Sequence, residues 1–169
     1  MISGPSSAAR RASMAGDADA VTDAVLTASR LLLAVSARSI ASVDDSITLA
    51  QFRLLVVLST RGAVNLSMLA EQLGVNPSTA TRMIDRLIAS GLVSRETNPT
   101  SRREVVVELT EPGAVAVRLV TARRRKEIAR IVSRMPVKHR HGLIDALEAF
   151  TEAGGEPPVS AHDGSTEWI

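Results

Sequence analysis

The sequence predicts a mainly α protein with one small β-hairpin, and three observations support this fold class. Apolar residues recur at spacings of three and four along most of the chain, which is the period of a helix face. Only one stretch, Val105 to Leu109, alternates as a strand does. Phe, Trp and Tyr make up 2% of the 169 residues, so Leu, Val, Ile, Ala and Met must build the core.

The N-terminal third divides into a lead and one helix. Residues 1 to 16 are rich in Ser, Ala, Gly and Arg without an apolar period, which predicts a disordered lead. Residues 17 to 47 predict a helix from Asp17 to about Val43, and its apolar positions cover more than one face. So broad an apolar surface requires burial on two sides, either inside its own domain or against a second subunit.

Three short helices are predicted between residues 48 and 91. Each begins after a polar residue that can cap it, and each ends at a glycine that can leave the helix. The three pairs of cap and glycine are Thr48 with Gly62, Asn65 with Gly74, and Asn76 with Gly91. Pro77 strengthens the third start, because proline suits the first helical position.

A hairpin and two more helices complete the predicted fold. Leu92 to Glu96 is short and β-prone, residues 98 to 101 form a turn, and the alternating strand at 105–109 returns. Helices then follow over about 111–135 and 137–153, separated by Pro136, and residues 154–169 are predicted to be a flexible tail. The last helix carries Leu143, Ile144, Leu147 and Phe150 on one side.

The charge of the chain is unevenly distributed. Residues 61–134 hold thirteen Arg or Lys against seven Asp or Glu, whereas residues 135–169 hold two against six. A positive field over the middle of the chain is typical of a surface that meets phosphate. The scarcity of aromatic residues argues against stacking of single-stranded bases.

Several other classes of protein are disfavoured by the composition. The absence of cysteine excludes disulfides, Cys-ligated metals and thiol sensing. His139 and His141 are two apart rather than at the i, i+4 spacing that holds a metal, so we predict no metal and no cofactor. No nucleophile elbow or phosphate-binding loop appears, so no enzyme is predicted.

The location of the protein is also predicted from the sequence. The most apolar long window, from Ala24 to Val43, is interrupted by Arg30 and Arg38, which argues against a membrane span. Arg10 and Arg11 are followed by Ala, Ser, Gly and Asp instead of the apolar run of an export signal. We therefore predict no membrane partner and a cytoplasmic location.

The third short helix carries the candidate binding residues. Two helices joined at a glycine turn and followed by a hairpin predict a winged helix-turn-helix, whose second helix enters the major groove of DNA. The outward residues and the helix start that would meet DNA are Pro77, Ser78, Thr79, Thr81, Arg82 and Arg86. Arg102 and Arg103 at the hairpin tip would lie over the minor groove. The plainer interpretation of both sets is a solvated surface.

The text "LSMLAEQLGVNPSTATRMIDRLIASGLVSRE", followed by "NPTSRREVVVELTEPG", resembles the MarR family of bacterial transcription regulators. The resemblance covers about residues 20 to 153. It implies that Ser78, Thr79, Thr81 and Arg82 face DNA, and that an arginine at the wing tip enters the minor groove. It further implies that the first and last helices of two chains form a homodimer. Family members commonly carry Asp before the wing arginines and often a second Asp nearby, where this chain has Ser101 and Asn98.

The predicted function is a sequence-specific regulator of transcription that binds double-stranded DNA at a pseudo-palindromic operator. Repression is the commoner behaviour in the family, and a small lipophilic or aromatic ligand often relieves it, although no pocket residues are identified from this sequence. The alternative is a ligand-independent architectural or nucleoid-type protein. A third class is an interaction module whose acidic C-terminal segment binds a protein partner.

Overall fold

A computed structural model of the chain describes residues 7–97 and 105–155, which fold into six α-helices, three strands and a short 3-10 helix. In chain order these are α1 (Ser7–Ala41), α2 (Leu49–Arg61), β1 (Val64–Asn65), α3 (Leu66–Leu73), α4 (Pro77–Ala89), β2 (Val93–Thr97), β3 (Val105–Leu109), α5 (Glu111–Arg134), the 3-10 helix (Val137–His139) and α6 (Arg140–Ala153). The prediction of a mainly α fold with a small β wing is confirmed.

Helix α1 begins ten residues earlier than the sequence pattern indicated. It starts at Ser7 rather than Asp17, so the prediction of a disordered lead is corrected for residues 7 to 16. This segment contains several Ala and Arg residues, which have high helix propensity, and no proline. Extending an existing helix is far cheaper than nucleating a new one, so such a segment continues α1 even without an apolar period.

The starts of the three short helices agree with the prediction because their caps form. The Gln51 backbone N–H donates to the Thr48 hydroxyl at 3.2 Å, and the Thr48 N–H donates to the Gln51 side-chain oxygen at 2.8 Å. Asn65 caps α3 by accepting from the Met68 N–H at 2.9 Å. Each cap satisfies a backbone donor that has no partner within the helix.

The sheet has one more strand than the predicted hairpin. Strands β2 and β3 pair antiparallel as predicted, and β1 pairs with the other edge of β3, with Val64 opposite Val107. The predicted hairpin is therefore present, and β1, which was not predicted, extends it to a three-stranded sheet in the order β1-β3-β2. A strand of two residues is too short to show alternation, so only its position beside β3 reveals it.

One hydrophobic core lies between α2, α3, α4 and the sheet, a region that we call the central lobe (Leu49–Leu109). Its side chains include Leu54, Leu55, Leu69 and Ile84, all with no exposed surface. The same cluster includes Ile40 and Ile47 around the end of α1, and Ala116, Val117 and Val120 from the first turns of α5. The lobe is thereby packed directly against the two long helices.

The N-terminal part of α1 and the whole of α6 leave apolar side chains in solvent. Leu26 and Leu33 on α1 are 57% and 53% exposed, and α6 has no buried residue among those described. Within a single chain, α1 is therefore buried on one side only, around Val35 and Ile40. The sequence allowed α1 to be buried inside its own domain or against a second subunit. The packing within one chain buries only the C-terminal end of the helix.

Candidate nucleic-acid interface

The turn between α3 and α4 is closed by a glycine in the left-handed conformation. Gly74 has φ of 64°, which suits a residue without Cβ, and its N–H donates to the last carbonyls of α3. The Val75 N–H then donates to the Ala70 carbonyl at 3.0 Å. Because only three residues, 74 to 76, separate the two helices, the connection is as short as a helix-turn-helix requires.

The start of α4 is held by Asn76 and Pro77. The Asn76 side-chain oxygen accepts from the Thr79 N–H at 2.9 Å and from the Ser78 hydroxyl at 2.8 Å. Proline occupies the first turn, where its missing N–H costs nothing. The N-terminal end of α4 is exposed at residues 76 to 78, so its positive dipole end lies at the protein surface.

The rotation of α4 about its axis is set by three buried residues. Ala80, Ile84 and Leu87 are at most 1% exposed and pack into the core of the central lobe. Their spacing of four and three places them on one face, so the opposite face must point away from the lobe. Ile88 lies beside this face at the same helical spacing but is only partly buried.

The predicted binding residues of α4 lie together on the outward side. Pro77, Ser78, Arg82 and Arg86 are exposed, whereas Thr79 and Thr81 are half-buried. The Thr81 hydroxyl donates to the Pro77 carbonyl at 2.9 Å, so its oxygen is left as an acceptor. Among the described residues neither Arg82 nor Arg86 forms an ion pair, and the two guanidinium groups are available to an anion.

The outward face of α4 also contains an acidic residue that the sequence analysis did not select. Asp85 lies three residues after Arg82. Its carboxylate forms an ion pair with Arg95 of β2, in which Arg95 Nη2 lies 2.9 Å from Asp85 Oδ1. Helical spacing alone would have placed Asp85 on this face. The partnership with Arg95 could not be read from the pattern, because the two residues belong to different elements.

The base of the wing is joined to α4 and α5 by hydrogen bonds. The Thr110 hydroxyl donates to the Gly91 carbonyl at 2.7 Å and accepts from the Gly113 N–H at 3.2 Å. A Cβ atom on Gly113 would lie 2.1 Å from the Leu92 carbonyl oxygen, so only glycine allows α5 to approach this closely. The wing strands therefore begin and end at fixed positions relative to α4.

The wing tip lies outside the described residues. Strands β2 and β3 are described as far as the pair Thr97 and Val105. The predicted minor-groove residues Arg102 and Arg103, and the departures from the family at Ser101 and Asn98, belong to the segment 98–104. Their assignment stays a prediction.

A second cationic region occurs on α5. The four consecutive residues from Arg123 to Lys126 are all exposed. Two of them, Arg123 and Lys126, line an open groove of about 450 Å³. Its other lining residues are Ser42, Glu127 and Arg130. The Glu127 carboxylate is already paired with Arg38 of α1 at 2.9 Å, so the groove is cationic overall.

No group of three metal-binding side chains comes together in the part of the chain that the structure describes. His139 and His141 are both exposed there, and His162 lies outside that part. The described residues thus offer no metal site in the region of α4.

Comparisons with known proteins point to one family. The model of the MarR family matches residues 47–105, which are the central lobe up to the start of β3. The solved structure of RV1404 from Mycobacterium tuberculosis is 58% identical with a TM-score of 0.79, and the match covers 84% of this chain and 97% of that one. Wild-type MarR from E. coli, in its apo form, is 23% identical with a TM-score of 0.66, over 76% of this chain and 95% of that one, and shows likeness of fold alone.

Curated proteins give a shorter match. The transcriptional repressor MdtR of Bacillus subtilis is 35% identical over 89 residues, which are 53% of this chain and 57% of MdtR. The chain spans 64% and 57% of the length of the first two curated relatives that it matches.

Proposed function

The chain belongs to the MarR family of transcription regulators, and from that premise we propose that it binds double-stranded DNA sequence-specifically and represses transcription. One observation carries the proposal. The buried residues Ala80, Ile84 and Leu87 hold α4 so that its hydroxyl and guanidinium side chains project from the lobe beside the wing. An exposed, cationic second helix of a helix-turn-helix is built to enter a major groove.

The residues of the proposed interface divide by role. The exposed start of α4, at Pro77 and Ser78, presents backbone N–H groups and a hydroxyl to a phosphate. Thr79 and Thr81 are close enough to the surface for short-range contacts with phosphates or base edges. Arg82 and Arg86 reach furthest and can donate two hydrogen bonds to a guanine in the major groove. Arg102 and Arg103 are proposed for the adjacent minor groove.

The active form is proposed to be a homodimer. Residues 17–47 and 111–153 would form the dimerisation region, and residues 48–110 the DNA-binding lobe. The exposed apolar residues of α1 and α6, among them Leu33, Leu147 and Phe150, support this arrangement, because patches of this kind on a single chain mark protein interfaces. A two-fold dimer would place its two α4 helices in successive major grooves, about 10 bp apart on a pseudo-palindrome.

Membrane insertion is the other use that an apolar helix could have. By length and composition Gly16–Ala41 is apolar enough to span a membrane, with a mean hydropathy of 1.4. Arg30 and Arg38 lie within it, Val35 is buried, and Ile40 belongs to the core of the lobe. We therefore propose that the apolar side of α1 is a subunit interface and that the protein has no membrane partner. We further propose that the protein is cytoplasmic and is not an enzyme.

Control by a small ligand is a finer part of the proposal. The groove beside α5 is lined by Arg123, Lys126 and Arg130, so it would suit the carboxylate of a lipophilic or aromatic acid rather than a neutral molecule. The groove lies between the end of α1 and α5, where a bound acid could change the angle of the lobe. A ligand can shift DNA binding only if it has different affinities for the two arrangements.

The experiment for the main proposal is fluorescence anisotropy over a salt series. Labelled DNA from upstream of the protein's own gene is compared with a scrambled duplex. We expect binding at least about a thousandfold tighter to the first duplex, with a steep negative log–log salt slope. Equal affinities would favour the architectural alternative, and the lack of salt-dependent binding to either duplex would contradict both.

A matched pair of variants tests the interface itself. Arg82→Ala removes a proposed base contact and should weaken operator binding by about 1–3 kcal/mol, with relaxed specificity at one base position. Arg134→Ala removes the same charge from the exposed end of α5 and should leave the specificity ratio unchanged. Equal effects of the two variants would mean that α4 does not read bases.

A further inference from the structure

The carboxylate of Asp85 is out of place on a DNA-binding face. It lies on the same side of α4 as Ser78 and Arg82, at positions seven and three residues after them, and its side chain is 53% exposed. On a surface proposed to approach phosphates, an unpaired carboxylate would repel the ligand. Something must offset that charge for the face to work.

Arg95 supplies the compensating charge. It lies two residues after the buried Val93 on β2, so both side chains lie on the same face of the sheet, and its guanidinium is 2.9 Å from the Asp85 carboxylate. The other two ion pairs among the described residues join α1 to α5 or lie within α5. At the proposed DNA surface, within the described part, this pair alone joins α4 to the wing by opposite charges.

We propose that Asp85 and Arg95 are a positioning pair that limits non-specific DNA binding. Asp85 holds the Arg95 guanidinium against the protein, and Arg95 neutralises the carboxylate, so that the face offers Arg82 and Arg86 to the operator. Because the pair spans two elements, it also holds β2 at one angle to α4. The inference rests on the proposed DNA-binding function.

The pair should matter far more for DNA selectivity than for folding. Both partners are well exposed, with 38% and 53% of their side-chain surfaces accessible, and an ion pair of that kind contributes little to stability. DNA binding depends differently on charge, since each cation that neutralises a phosphate adds about 0.9 to the log–log salt slope. Releasing Arg95 would add such a contact on any sequence.

The test compares four proteins on the operator and on a scrambled duplex over a salt series. Asp85→Asn should raise affinity for the scrambled duplex about three- to tenfold and steepen the salt slope by about 0.9, which lowers the specificity ratio. Arg95→Gln leaves Asp85 uncompensated and should weaken binding to both duplexes. The double variant should return close to the wild-type slope, because the two changes cancel in charge.

A matched control separates position from charge. Glu111→Gln breaks the Arg118–Glu111 pair, which has the same chemistry and the same 2.9 Å distance but lies within α5. It should leave the salt slope and the specificity ratio unchanged, and thermal unfolding of all variants should stay within a few degrees of the wild type. A change in thermal stability alone, without a change in slope, would mean a structural role and would overturn the proposal.

Two further outcomes are decisive. A loss on the operator alone in Asp85→Asn would overturn the proposal, because it would show that Asp85 accepts a hydrogen bond from a base such as cytosine. Failure of the proposed function would appear in the wild type as a lack of salt-dependent binding. Failure of the inference alone would appear in a wild type that binds DNA, either as variants with its salt slope and specificity ratio or as one of the overturning outcomes given above.

Discussion

The central lobe buries many of its apolar residues, whereas the end helices α1 and α6 leave many of theirs exposed. In the lobe, Leu54, Leu55 and Ile84 have no exposed surface, whereas Leu147 and Phe150 on α6 are 50% and 54% exposed. Both regions are amphipathic at the same helical period, so the sequence pattern alone does not distinguish them. The difference shows that an apolar stripe at helical spacing predicts that a helix face is buried. It does not predict whether residues of the same chain pack against that face.

Helix α1 shows both behaviours along its length. Its C-terminal part is buried at Val35 and Ile40, which belong to the side of the helix that meets α2 and α5, while Leu26 and Leu33 remain in solvent. Arg38 forms an ion pair with Glu127 of α5 at the same end. The helix is thus attached to the lobe at one end, and the apolar side chains of its other part stay uncovered within one chain.

The largest effect is expected on dimerisation, from a change in the exposed apolar residues of α6. Leu147→Asp places a charge in the proposed dimer interface, and by two-fold symmetry it does so twice. Burial of a leucine is worth about 1.5–3 kcal/mol, so dimerisation should weaken by roughly 3–6 kcal/mol. Sedimentation or light scattering across a dilution series would measure the shift from dimer to monomer.

The control for the interface is Met68→Asp. Met68 is 41% exposed on α3 of the lobe, so an equivalent change there should leave the oligomeric state unaltered. If Leu147→Asp left the mass of the protein unchanged at every concentration, the exposed stripe of α6 would not be an interface.

A slightly smaller effect is expected inside the lobe. Ile84→Ala removes a fully buried side chain and should lower the free energy of unfolding by about 2–5 kcal/mol, because transfer and cavity terms add. Val137→Ala, at a position that is 66% exposed, should change it by less than about 0.5 kcal/mol. Chemical denaturation at fixed protein concentration measures both, and similar losses would contradict the assigned core.

The third prediction compares one glycine in a closely packed position with one on the exposed helix α6. Gly113→Ala brings a Cβ against the Leu92 carbonyl, so α5 must move and stability should fall by about 1–3 kcal/mol. At Gly142 on α6, a Cβ would meet nothing within 4 Å, so Gly142→Ala should raise helix stability by about 0.5–1 kcal/mol. Thermal unfolding measures both shifts. A loss at Gly142 would instead indicate that a second chain lies close to that part of α6.

The parts of the fold that were predictable depend on neighbours in sequence. Thr48, Asn65 and Asn76 cap their helices through residues three positions on, and Gly74 closes its turn with the preceding helix. These interactions are complete within one or two turns, so the chain order alone specifies them. The outward face of α4 was predictable for the same reason.

The candidate site was predictable only in part. Helical spacing identified the outward residues of α4, including Arg82 and Arg86, but it gave no reason to single out Asp85. The pairing of Asp85 with Arg95 depends on how β2 packs against α4. Likewise the third strand of the sheet pairs Val64 with Val107, two residues that are far apart in the sequence.

By itself, the amino-acid sequence determined where the helices of the central lobe begin and end, which face of each is apolar, and the MarR-like pattern of the lobe, because these depend on residues a few positions apart. Only the tertiary structure decided that β1 joins the sheet, that Arg95 neutralises Asp85, and that the stripe of α6 stays uncovered within one chain. Each of those outcomes depends on surfaces brought together from distant parts of the chain, and local periodicity carries no information about which surface meets which.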